Sequence, residues 1–138
     1  KTPDIDEISC RPEQVHICYS SSLTEMTVMW STRGVCDTAV SYAPGPWNLN
    51  LEVAGTSTEL DPALNKTFRY IHRTVVKELS PSTTYHFRPH VKSGGVEPFY
   101  FTTPPANNES WSQNFLVLGN AELEGNTLES LIKEAQSG

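Results

Sequence analysis

The amino-acid sequence predicts an all-β Greek-key sandwich with a short C-terminal strand-helix extension. Three observations carry this. Apolar residues alternate with polar ones in short runs, as half-buried strands require. About seven such runs recur at intervals of roughly ten residues, separated by turn chemistry. Ten prolines and eight glycines supply the turns, and repeated helical apolar spacing is absent before residue 120.

The elements follow in order. Residues 1–12 are irregular, with Pro3 and Pro12 bracketing a polar stretch. Val15, Ile17 and Tyr19 alternate with His16, Cys18 and Ser20 in a first strand. Ser20-Ser21-Ser22 turns the chain into a second, where Met26, Val28 and Trp30 share one face. Thr38 to Tyr42 forms a third, closed by Pro44-Gly45-Pro46. Trp47 to Thr67 holds short strands at best. Phe68 to Leu79 is a strand with a β-branched centre at Thr74-Val75-Val76. Tyr85, Phe87, Pro89 and Val91 fall on one face of the next, Gly94-Gly95 turns, and Phe99 with Phe101 completes the last strand before Pro104-Pro105.

After the prolines the character changes. Residues 106–113 form a polar linker between a domain at 1–105 and an extension at 114–138. Phe115-Leu116-Val117-Leu118 reads as a buried strand ending at Gly119-Asn120. Asn126 or Thr127 can cap a helix whose Leu128, Leu131, Ile132 and Ala135 lie at spacings of three and four. A strand apolar on both faces cannot be covered by one helix. Phe115, Leu116, Val117, Leu118, Leu128, Leu131 and Ile132 are therefore the expected interface, with a protein partner or a second copy of the chain.

Composition narrows the function. The chain has 138 residues and a net charge of −6, which argues against nucleic acid and anionic membrane surfaces as partners. No run is long and apolar enough to span a bilayer. A start at Lys1 is consistent with a removed signal peptide. Asn65-Lys66-Thr67 and Asn108-Glu109-Ser110 fit the N-glycosylation pattern, marking Asn65 and Asn108 as acceptors in a secreted, extracellular chain. The cysteines Cys10, Cys18 and Cys36 lack zinc-site spacing. Pairing residues 14–20 with 26–31 brings the strands' far ends together, and Cys10 and Cys36 lie just beyond them. They are the expected disulfide, with Cys18 left over.

No catalytic constellation emerges. His86, His90 and His16 fall on outward parities and are expected to be solvated, while His72 is expected to be structural. Glu122 and Glu124 suit a helix entry. No cofactor is called for.

Leu79-Ser80-Pro81-Ser82-Thr83-Thr84-Tyr85 fits a tyrosine corner, and with Trp30 on an early strand the chain resembles a fibronectin type III or immunoglobulin-like domain. Several segments also resemble, in order, the N-terminal part of purple acid phosphatases of the animal type 7 group. They are Pro12-Glu13-Gln14-Val15-His16-Ile17, Met26 to Thr32, Tyr70-Ile71-His72-Arg73-Thr74-Val75, Leu79 to Tyr85, and Phe101-Thr102-Thr103-Pro104. The resemblance implies a fibronectin-like domain preceding a metallophosphatase domain with a dinuclear metal site. That domain opens with Gly-Asp-x-Gly, and this chain has Gly119-Asn120-Ala121-Glu122. A neutral amide is a weaker ligand than carboxylate for a hard cation, so Asn120 is a degenerate ligand position. The family's later ligand motifs do not occur before Gly138. The expectation is a secreted, non-catalytic binding or assembly module, not an enzyme. The alternative is an N-terminal fragment of a longer metal-dependent acid phosphatase, its catalytic residues lying beyond Gly138.

Overall fold

A computed structural model describes residues 9–60, 68–91, 96–106, 110–117 and 126–137. Eight strands form two four-stranded antiparallel sheets. They are β1 (Glu13–Tyr19), β2 (Met26–Thr32), β3 (Ala39–Pro44), β4 (Leu51–Ala54), β5 (Thr56–Leu60), β6 (Arg69–Val76), β7 (Thr84–Pro89) and β8 (Phe99–Thr102). One sheet has the order β1-β2-β6-β5, the other β4-β3-β7-β8. The chain changes sheet after β2, after β4 and after β6, which is the Greek-key sandwich expected from the strand spacing. The uncertain stretch from Trp47 resolves into β4 and β5.

The core follows from alternation. Met26, Val28 and Trp30 of β2 face Val40 of β3, Tyr85 and Phe87 of β7, and Phe101 of β8, with Val76 and Leu79 closing the layer. Each is at most 6% exposed. Trp30 is the largest of these side chains, and truncating one so buried typically costs about 3–5 kcal/mol.

The tyrosine corner is built from the backbone outwards. The Ser80 N–H donates to the Tyr85 hydroxyl at 3.1 Å. Thr103 Oγ1 donates to the Ser80 carbonyl at 2.6 Å and accepts from the Thr83 N–H at 2.9 Å. The turn before β7 is thereby bound to the end of β8, and the phenol is satisfied although buried.

Two expectations are corrected. Ile17 and Tyr19 of β1 are 38% and 46% exposed. They share a face with their partners Val28 and Met26, but among the described residues β1 is an edge strand with one neighbour, and of its side chains Val15 packs against the core. The register also shifts between Glu13 and His16, where Gln14 takes a positive φ of 54°. The second correction is Phe115 to Leu118. Residues 110–117 are not in a strand, and no ladder pairs with them among the described residues. Without a neighbouring chain to bond, an apolar run has no strand to be. Leu118 lies outside the described residues.

Residues 1–106 and 107–138 form separate compact units. In the second, α1 (Asn126–Ser137) is the only regular element among the described residues.

The crossing from β4 to β5 passes through Gly55. A Cβ there would collide with Thr74 Oγ1 and the Arg73 carbonyl, so any side chain forces β5 away from β6. Gly55→Ala is expected to lower the unfolding free energy by about 2 kcal/mol or more. Denaturant midpoints of the two proteins check this, and a loss under about 0.5 kcal/mol, typical of a surface site, counts against the close approach.

Candidate functional site

The richest cluster of polar groups lies inside the sandwich. β6 places His72 opposite Trp30 of β2, and the imidazole lies flat on the indole, 5.0 Å between centroids and 6° between planes. His72 is fully buried. Thr32 Oγ1 is 2.8 Å from its Nε2, and Thr38 Oγ1 is 2.7 Å from its Nδ1. Burial pushes the imidazole below its usual pKa of 6.5. The expectation of a structural, hydrogen-bonded His72 thus fits what the structure shows.

Beside it, the Cys10–Cys36 disulfide spans a 5.7 Å Cα separation. The N–H groups of Arg33 and Gly34 both donate to the Ser9 carbonyl, at 2.9 and 3.0 Å. The β2–β3 connection is thereby bound to the segment before β1. Cys18 is exposed and unbridged.

At the same end, Arg69 Nη1 donates to Glu13 Oε2 at 2.7 Å and to Ser31 Oγ at 3.2 Å. Arg33 Nε donates to Glu13 Oε1 at 2.9 Å. The Arg69 hydrogen bond chiefly, against some desolvation and with the charge of Arg33, holds the Glu13 carboxyl below its usual range. Each charge is occupied by the others, which is the mark of a structural group.

The remaining histidines do not converge. His16 Nδ1 pairs with the Gln14 carbonyl at 2.8 Å, and His90 is exposed. His86 differs from expectation. It leans on Tyr100, 5.8 Å between centroids, and its Nδ1 is buried without a hydrogen-bond partner. Its cross-strand partners are Ala43 and Tyr100, a pairing that outward parity alone does not reveal.

Sequence reasoning missed one concavity. A groove of about 470 Å³ is lined by Tyr42, Glu52, Val53, Arg73, Lys77 and Glu78, among others. Burial, then Tyr85 and Glu78, raises the Tyr42 phenol above its ordinary pKa. No local signal marks this groove, because its lining comes from separate strands of both sheets.

Among the described residues no three His, Cys, Asp or Glu side chains converge on a metal-sized site. Asn120, Glu122, Glu124 and the sequon residues Asn65 and Asn108 lie outside the described residues. In the second unit, Phe115, Leu116 and Val117 are 75%, 50% and 87% exposed, and Leu128 and Ile132 of α1 are 43% and 48% exposed. Leu131 is half-buried.

Comparison with known proteins decides the family. The "Purple acid Phosphatase, N-terminal domain" family matches residues 12–103. This chain belongs to that family. Acid phosphatase type 7 of Danio rerio is 33% identical over 95% of the chain but only 30% of its own length. The Homo sapiens protein of that name is 31% identical over 80% of the chain and 26% of its own. A purple acid phosphatase from yellow lupin (Lupinus luteus) seeds shares the fold, with a TM-score of 0.57 at 16% identity, over 72% of this chain and 20% of that one. The chain therefore spans less than a third of the length of each of these relatives.

The cysteine geometry gives a direct test. Without denaturant, a thiol reagent is expected to label Cys18 alone, with Cys10 and Cys36 recovered as one cross-linked peptide pair. Reducing that bridge, which joins residues 26 apart in sequence, is expected to cost about 3 kcal/mol. Recovery of Cys18 joined to either of the others would refute the pairing.

Proposed function

We propose that this chain is a non-catalytic module of the purple acid phosphatase class, acting by association with protein through residues 114–138. One observation carries the reading. Phe115, Leu116 and Val117 are consecutive, apolar and at least half exposed. A cleft of about 500 Å³ separates their segment from Glu134 and Ala135 of α1. Exposed contiguous apolar surface marks an interface, and a second polypeptide fills such a cleft where a single helix does not. The disulfide favours an oxidising compartment, and with the sequons it supports a secreted, extracellular glycoprotein.

A second reading has its own support. The relatives named acid phosphatase are about three times longer than the segment they share with this chain, so these residues also fit the N-terminal support domain of a longer metal-dependent phosphatase. Asn120, where the family pattern has Asp, favours the first reading. The intact mass of the native protein separates the two.

The chain is expected to hydrolyse no phosphate ester, with or without added iron, zinc or manganese. A metal-dependent phosphomonoesterase rate in pure protein, lost on Glu122→Gln, would contradict this. Light scattering is expected to show an oligomer that becomes monomeric when residues 114–138 are removed. A monomer at high concentration, with mass and solubility unchanged by the truncation, would sink the interface.

A further inference from the structure

We infer that His72 is an acid-operated latch: neutral and held in a single tautomer, it closes the seam between the two sheets at the disulfide end, and taking up a proton loosens that seam. The tautomer follows from counting protons. The Thr32 hydroxyl has one proton. The Gly34 carbonyl, 2.8 Å from Thr32 Oγ1, can only accept, so the hydroxyl proton goes there. Thr32 Oγ1 must then accept from His72 Nε2–H across 2.8 Å. A neutral ring with its proton on Nε2 has a bare Nδ1, and Thr38 Oγ1–H donates to it at 2.7 Å. The Thr38 carbonyl in turn accepts the Gly55 N–H at 2.8 Å. Hydrogen bonds thus link the β2–β3 connection to the ring on β6 and the ring to the Thr38 side chain just before β3, while the Thr38 backbone holds the β4–β5 crossing.

A second ring proton breaks this order. Nδ1 becomes a donor aimed at the Thr38 hydroxyl, which must turn to accept and gives up its own donation. The ring then carries a buried positive charge. Its polar partners are the two threonine hydroxyls, neither of which is a counter-ion. The charged side chains on the elements packed around it give no relief. Arg33 and Arg69 share Glu13, while Asp37, Glu59 and Arg73 are exposed. Burial accordingly lowers the affinity of the ring for a proton.

The sign of the pH effect follows. Above the ordinary imidazole pKa of 6.5 the ring is neutral folded or unfolded, and stability is complete. As pH falls below that value the unfolded chain takes the proton first, so stability is lost until the folded ring also titrates. Between pH 7.5 and 5.0 the unfolding constant can rise by up to about 30-fold from this one group.

Three measurements on the full chain test the latch. Imidazole 15N–1H spectra are expected to show His72 protonated at Nε2 only at pH 7.5 and titrating below the ordinary imidazole value. Chemical denaturation at pH 7.5 and 5.0 is expected to show a stability loss in the native sequence that His72→Gln lacks. If that variant does not fold, amide exchange in the native chain is read instead, where protection of the Gly55 N–H relative to Val28 is expected to fall about tenfold between the two pH values. A ring protonated at Nδ1, titration at the ordinary value, equal pH dependence in the two proteins, or a constant Gly55-to-Val28 ratio would each overturn the latch.

Discussion

An imidazole stacked on an indole in the middle of a β-sandwich imposes a demand that apolar packing does not meet. Both ring nitrogens of His72 need partners inside the protein, because an unsatisfied buried polar group costs about 1–3 kcal/mol. The partners are threonines on opposite sides of a sheet change, Thr32 at the end of β2 and Thr38 just before β3. The connection from 33 to 37 must therefore keep both within reach of one ring. The Cys10–Cys36 bridge and the two bonds to the Ser9 carbonyl do this from the outside. Gly55, bonded to Thr38, does it from the third side. Core, disulfide and crossing converge on the same few ångströms.

This arrangement explains the division of labour in the chain. At that end the single carboxylate of Glu13 is shared by Arg33 and Arg69, which ties β1 to β6. The opposite end is closed by the Tyr85 corner and Thr103. Between these two ends lies the apolar core shared by the two sheets. In the second unit Phe115, Leu116, Val117, Leu128 and Ile132 are exposed.

Much of the sandwich was legible in the sequence because its strands carry the signal locally. Met26 to Trp30 and Tyr85 to Phe87 alternate cleanly and became core, and the Pro81 turn announced the corner. Position within the sheet was not legible. Ile17 and Tyr19 show the same alternation as Val28, yet stand exposed because β1 has a neighbour on one side only. The ring contact of His86 with Tyr100, fourteen positions later and on another strand, is one that parity cannot see. Phe115 to Val117 has strand composition without a ladder to join. The reason for a glycine at Gly55, the close approach of Thr74 and the Arg73 carbonyl, exists only in the folded chain. The family likeness was readable from ordered short motifs, and it fixed the fold more firmly than any chemistry.

The irregularity in β1 has a meaning beyond its local geometry. A sheet edge is a template on which stray strands can grow, and a long flat edge invites aggregation. At Gln14 the backbone turns to positive φ and the register slips before His16, so the free edge is broken near its start. Only Ile17 to Tyr19 continue in regular register beyond His16, a row too short to seed a stable added strand. A positive φ at one residue thus interrupts the template that this edge would otherwise offer, while leaving Cys18 in the open.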